Sequence, residues 1–117
     1  TAHYCTQFGL EKSDDNNVIA LLEQMQHQDN RRAALVSTLV AVRSPQDPEP
    51  LIAVGRVVGE ITRERRGSNG FGFDPVMFLP QLGKTFAELP TAVKNAYSHR
   101  GSASQQMLAL LRERWLK

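Results

Sequence analysis

Arg32-Ala33-Ala34-Leu35-Val36-Ser37-Thr38-Leu39-Val40-Ala41-Val42-Arg43 is the stretch on which the fold turns. It is β-branched and largely apolar, a pattern that predicts a strand buried on both faces. Ser44-Pro45-Gln46-Asp47-Pro48-Glu49-Pro50 follows, and its prolines deny the ladder its donors, so the chain must turn there. A second strand region runs from Leu51 to about Arg65, and a long antiparallel hairpin is the expected pairing. Gly55 and Gly59 fall inside it, where a glycine predicts a bulge or bend.

Working outward towards the N-terminus, Ser13 followed by Asp14 and Asp15 has the form of a helix start. A hydroxyl caps the first amides and acids meet the positive end of the helix dipole. Val18, Leu21, Leu22 and Met25 recur at helical spacing and carry the helix to about His27, with Met25 in the core and His27 solvated. Thr1 to Lys12 shows no period and reads as a loop or extended lead-in. Towards the C-terminus, Gly67 to Pro75 is a glycine-rich loop that ends in a short apolar strand, Val76 to Leu79. A turn at Gly83 precedes Thr85-Phe86-Ala87-Glu88-Leu89. Pro90 suits the first turn of a short helix with Val93 and Ala96 inward. Ser98-His99-Arg100-Gly101 interrupts that helix. The last one runs from about Ser102 to Trp115, with Met107, Leu108, Leu111 and Trp115 as its apolar stripe. Paired strands with helices at both ends predict an α/β or α+β domain.

The 117 residues allow one domain with one sizeable core, and 41% hydrophobic with 22% charged residues is ordinary for a soluble globular protein. A net charge of +2 is far short of a nucleic-acid-binding tail, although it suits a site for an anionic metabolite. Cys5 is the single cysteine, so no internal disulfide forms, and a reducing compartment such as the cytoplasm is the simpler expectation. No apolar run approaches the roughly 20 residues of a membrane span. The chain opens at Thr1 without a methionine, so its natural N-terminus is expected upstream.

Two stretches are expensive to explain as packing. In Gly70-Phe71-Gly72-Phe73-Asp74-Pro75, glycines on both sides of an aromatic let the backbone approach a ligand and present the ring as a stacking platform. Asp74 adds an acceptor for a base edge or a cation. The alternative is a tight turn whose Phe71 and Phe73 enter the core. In Lys94-Asn95-Ala96-Tyr97-Ser98-His99-Arg100-Gly101, Lys94 offers a point charge, Arg100 a planar fork and His99 a group that titrates near neutrality. The alternative is a helix C-terminus whose basic residues are favoured by the dipole, capped near Gly101. A Ser98–His99 nucleophile pair is disfavoured, because neighbours point apart and no third residue orients the imidazole. His3, His27 and His99 match no compact metal site, and there is no Walker-type phosphate loop.

Together these stretches resemble the inosine triphosphate pyrophosphatase family, which removes non-standard purine nucleotides. Its Gly-Phe-Gly-aromatic-Asp-Pro loop is matched by Gly70 to Pro75, its Lys-Thr-x-Ala-Glu-Leu segment by Lys84 to Leu89, and its Lys-Asn/Ser-x-x-Ser-His-Arg segment by Lys94 to Arg100. Three blocks in order at compatible spacing make the match specific. More weakly, Thr1-Ala2-His3-Tyr4 is similar to the family's Ser-Ala-Arg-Tyr, with His3 in place of the arginine. Asp15-Asn16-Asn17 with Leu21-Leu22, and Ile61 to Glu64, also fit, so the resemblance covers nearly the whole chain.

The resemblance implies hydrolysis of inosine, xanthosine or deoxyinosine triphosphate to the monophosphate and pyrophosphate with magnesium (Mg2+), in a homodimer. It implies an elongated α/β structure with a long mixed sheet, an antiparallel hairpin flanked by helices, and a central cleft. Phe71 would stack on the purine within the loop Gly70, Phe71, Gly72, Phe73. Asp74, His99 and Arg100 would line the base pocket, and Lys94 would contact the nucleotide near its phosphates. The family's Thr/Ser-Gly-Asn-x-x-Lys loop and its acidic Asp-Asp/Glu-Ser-Gly segment, which hold magnesium and activate water, are expected upstream of Thr1. Residues 1–117 therefore read as the C-terminal portion of such an enzyme, a partial domain with neither catalytic nor metal-binding residues and little activity alone. Two other classes remain open: an inactive nucleotide-binding or protein-interaction module, and a single-stranded nucleic-acid binder, for which the charge and the one aromatic loop give too small a footprint.

Overall fold

In a computed structural model that describes residues 1–116, the chain forms three α-helices and four strands. These are α1 (Asp14–Gln24), β1 (Arg32–Ala41), β2 (Leu51–Ile61), β3 (Met77–Leu79), β4 (Lys84–Thr85), α2 (Thr91–Tyr97) and α3 (His99–Arg114). The strands make one sheet in the order β1-β2-β3-β4. β3 pairs antiparallel with both neighbours, with Glu60 opposite Phe78 and Phe78 opposite Thr85. The expected α/β class, with its long hairpin flanked by helices, is what forms. The residues gather into two compact units, Thr1–Ala33 with Val58–Thr91, and Ala34–Val57 with Ala92–Lys117.

In the first unit, Ser13 caps α1 as expected, its Oγ accepting from Asn16 N at 3.0 Å, and Val18 and Ala20 are buried. The helix stops at Gln24 rather than His27, and Met25 is only half-buried. Arg31 supplies the reason. Its guanidinium donates to the carbonyls of Met25 at 2.6 Å, Ile61 at 2.7 Å and Thr62 at 2.7 Å, so it holds the end of the helix beside the end of β2. The lead-in expected to be a loop contains a 3₁₀ turn, Tyr4–Phe8. Asn17, 2% exposed, holds it by accepting from Cys5 N at 2.8 Å and donating to Ala2 O at 3.1 Å. A segment secured by one polar side chain leaves no apolar period to detect.

In the second unit, Leu51, Ala53 and Met107 form a core flanked by Leu39, Ala41, Leu110, Leu111 and Trp115. β1 was expected to be buried on both faces; instead every second residue is exposed. Val36, Val40, Val42, Ile52 and Val54 all stand open. Alternation gives each strand two faces, and α3 covers only one of them here. Leu108 is 46% exposed, because the buried row of α3 runs through Ala103, Met107 and Leu111 and Leu108 lies one step off it. α2 buries no residue, so Val93 and Ala96 do not face inward as expected. β2 ends at Ile61 and alternates without a break, so neither glycine makes a bulge. Backbone takes the space of the missing side chains: a Cβ at Gly59 would lie 2.3 Å from Phe78 O, and one at Gly55 1.9 Å from His99 O.

The turn between β1 and β2 is locked by Asp47, which accepts from the backbone N–H groups of Arg43 and Glu49 at 2.9 Å each and pairs with the Arg43 guanidinium at 3.2 Å. Arg43 in turn lies 5.6 Å over the Trp115 ring. The Arg43 side chain and these two amides hold the Asp47 carboxyl well below the usual carboxylate range.

Two outcomes are expected. Replacing Arg31 by Lys, which keeps the charge and loses the planar fork, lowers unfolding free energy by about 1–3 kcal/mol in a urea titration. For Asp47 the depressed folded pKa means that its contribution is complete above the unfolded value of about 3.9 and disappears as pH falls through the folded one. Asp47→Asn therefore destabilises equally at pH 7 and pH 5, and its difference from wild type narrows only below about pH 4, measured by urea midpoints across that range.

Candidate functional site

The first stretch leaves β2 at Thr62 and returns through the glycine loop to a short 3₁₀ turn, Asp74–Val76. Gly70 and Gly72 adopt φ of 78° and 60°, a left-handed backbone that a side chain at either position would strain. Phe71 stands between them and is 54% exposed. The reading in which both phenylalanines enter the core fails for Phe71. Phe73 is half-buried, its ring edge-on to Tyr4 with centroids 6.4 Å apart. Tyr4 in turn meets Phe8 at 5.3 Å. Asp74 is 7% exposed and accepts from Phe71 N at 2.9 Å. It therefore shapes the loop from within.

Around this loop the backbone is held by side chains. Thr85 and Glu88 form a reciprocal capping box on the 3₁₀ turn Phe86–Glu88, and the Thr85 hydroxyl donates to Arg66 O at 2.6 Å. Arg66 pairs with Glu88 at 3.3 Å and lies 5.3 Å over the Phe78 ring. The Thr85 amide, first, and then the Arg66 charge hold the Glu88 carboxyl below its ordinary range. The Lys84 to Leu89 block thus supports the loop from the sequence that follows it.

The second stretch lies in the other unit. Ser98, predicted to sit within a break before a helix starting near Ser102, is itself the N-cap of α3, its Oγ accepting from Gly101 N at 3.0 Å. α3 therefore begins at His99, and His99 and Arg100 occupy its first turn. This alters the dipole argument. Lys94 lies in the last turn of α2, where a cation is favourable. Arg100 is exposed at the positive end of α3, where the helix dipole disfavours a cation. Gly55 sets the position of this turn, because the backbone of His99 and Ala103 occupies the volume of its absent Cβ, at 1.9 Å and 2.6 Å.

Gly70, Phe71, Gly72, Phe73 and Asp74 are thus brought together on one loop, and Lys94, His99 and Arg100 around one helix junction. Sequence reasoning missed Asp14, whose Oδ2 accepts from Gly72 N at 3.0 Å across 58 positions, and also missed Tyr4 and Asn17 as supports. Polar contacts at that separation leave no periodic signal. Among the described residues, no three His, Cys, Asp or Glu side chains converge on one point.

The model of the Ham1 family matches residues 2–110. The chain belongs to the Ham1 family. A dITP/XTP pyrophosphatase of Verminephrobacter eiseniae is 78% identical over 116 residues, spanning 99% of this chain and 58% of the relative. One of Delftia acidovorans is 72% identical over 117 residues, spanning 100% of this chain and 58% of the relative. The chain thus spans well under two thirds of the length of these curated relatives. Among solved structures, a HAM1 protein from Coxiella burnetii aligns with a TM-score of 0.86 at 35% identity, over 94% of this chain and 57% of that one. The Staphylococcus aureus Ham1 protein aligns at 0.80 and 37%, over 87% of this chain and 52% of that one. The resemblance expected from the three sequence blocks is therefore correct.

For this Ham1-family chain, Gly55→Ala must displace the start of α3 and is expected to lower stability by about 1–3 kcal/mol. Val54→Ala, at an exposed neighbour, changes it by less than about 0.5 kcal/mol. Paired chemical denaturation curves check the contrast.

Proposed function

We propose that the chain provides base and phosphate recognition in an enzyme that hydrolyses non-standard purine nucleoside triphosphates, the inosine, xanthosine and deoxyinosine forms, to the monophosphate and pyrophosphate. The observation that carries this reading is Phe71, an aromatic 54% exposed on a glycine-framed loop, whose open ring is suited to stacking on a base. Membership of the Ham1 family and the dITP/XTP pyrophosphatase activity for which the high-identity relatives are named support the same reading.

Each residue has a part in it. Phe71 stacks on the purine, with Gly70 and Gly72 giving the backbone its close approach and Phe73 and Asp74 shaping the loop. His99 and Arg100 donate to the carbonyl that a hydroxypurine carries at C6. Adenine presents an amino group there and leaves those donors without a partner, which lowers its affinity. Lys94 meets the phosphates as a point charge. Magnesium would neutralise charge on the triphosphate and polarise the bond to be broken. In this reading the carboxylates that hold it belong to the segment expected upstream of Thr1, so no catalytic step is assigned to the residues described. Turnover in a homodimer in the cytoplasm completes the proposal. No helix among the described residues is long and apolar enough to cross a membrane.

A second reading, a module that works by association, is favoured by one observation: the open apolar face formed by Val36, Val40, Val42, Ile52 and Val54. The two are separated by expressing the complete coding sequence and measuring pyrophosphate release with magnesium from inosine, adenosine and guanosine triphosphates. Release selective for inosine is expected, with kcat/KM lowered about 10- to 100-fold by Arg100→Ala through loss of a charged hydrogen bond. A well-folded protein that releases pyrophosphate from none of them moves association to first place.

A further inference from the structure

The loop that carries Phe71 is poorly restrained by its own chemistry. A glycine on each side of the ring, both at positive φ, leaves the flanking peptides free to rotate, and no atom beyond the adjacent residues lies within 4 Å of where a Cβ of Gly72 would be. Each of those peptides is nevertheless held by a carboxylate. The Gly70–Phe71 peptide donates its N–H to Asp74 Oδ2 at 2.9 Å, from within the loop. The Phe71–Gly72 peptide donates its N–H to Asp14 Oδ2 at 3.0 Å, from the first turn of α1. With both peptides fixed, the direction of the Cα–Cβ bond of Phe71 is fixed too.

Capping does not account for Asp14. Ser13 already takes the capping position, accepting from Asn16 N at 3.0 Å. The next residue, Asp15, makes a second tie to the same segment, pairing with Arg65 at 2.7 Å while its carbonyl accepts from Arg65 Nη2 at 3.1 Å. α1 therefore grips the segment at Arg65, just after β2, and again at Gly72, beside the ring. Phe73 rests on Tyr4, whose 3₁₀ turn is held to α1 by Asn17.

We infer that Asp14 is a positioning residue for base recognition: by holding the Phe71–Gly72 peptide it presents the Phe71 ring in the orientation that stacks on a purine. The inference rests on the reading of Phe71 as the base platform and extends it to a residue remote in sequence that need not touch the nucleotide. Such a role predicts an effect on ligands that have a base and none on ligands that lack one. It also depends on an acceptor at Asp14 and not on its charge, because the amide oxygen of an asparagine can accept the same N–H.

The test is calorimetric titration of the protein and its variants with inosine triphosphate and, as the probe without a base, inorganic tripolyphosphate. Asp14→Ala is expected to weaken inosine triphosphate about three- to tenfold, the equivalent of one hydrogen bond, and to leave tripolyphosphate unchanged. Asp14→Asn is expected to bind both as wild type does. Phe71→Ala is the control for the underlying reading and weakens inosine triphosphate at least as much as Asp14→Ala. If Phe71→Ala weakens binding and Asp14→Ala does not, the positioning role is wrong and the base platform stands. Equal losses in Asp14→Ala and Asp14→Asn, or a parallel loss for tripolyphosphate, also overturn it, since charge or general stability then explains Asp14. Unchanged binding in Phe71→Ala, or no uptake of inosine triphosphate by wild type, overturns the base platform and the inference with it.

Discussion

The guanidinium of Arg31 is the interaction on which the first unit depends. It donates to carbonyls at the end of α1 and at the end of β2, and its own carbonyl accepts from Ile61 N at 2.8 Å. Helix and strand ends are where backbone groups lack partners. One planar cation with several donors satisfies both ends and holds them side by side. The glycine loop leaves from that junction, so the place of Phe71 relative to α1 begins at Arg31 and is completed at Asp14.

The same device recurs wherever a regular ladder stops. Asn17 holds the 3₁₀ turn at Tyr4, Asp74 and Asp14 hold the peptides around Phe71, Thr85 and Glu88 close a capping box, Asp47 ties the hairpin turn, and Ser98 starts α3. A chain whose strands β3 and β4 span three and two residues cannot satisfy its loops through sheet pairing alone. Polar side chains supply the missing partners, and they also give exposed loops a defined shape. That rigidity is what a recognition surface needs, because less ordering entropy is then lost on binding.

Much of this was legible from residue order. The hairpin follows from β-branched runs on either side of a proline-rich turn, the start of α1 from Ser13-Asp14-Asp15, and the candidate site from the Gly-Phe-Gly-Phe-Asp-Pro and Ser-His-Arg blocks. Errors arose where a local pattern has two tertiary outcomes. The apolar run of β1 suits a strand covered on both faces as well as one with an open apolar face, and the chain forms the second. Gly55 and Gly59 suit a bulge as well as a close crossing of backbone, and crossings are present. Ser98-His99-Arg100 suits a helix end as well as a helix start, and Ser98 caps a start.

By itself, then, the sequence determined the two long strands, the start of α1, the glycine loop and which residue types have chemistry to offer, because propensity, period and capping act over a few neighbours. The three blocks also identified the family, since their order and spacing are properties of the chain alone. Only the tertiary structure decided that Phe71 is exposed while Asp74 is buried, that Arg100 lies at the positive end of a helix, and that Asp14 holds Gly72 from 58 positions away. Those outcomes depend on which distant groups fill the space and satisfy the hydrogen bonds around a residue, and no local pattern carries that information.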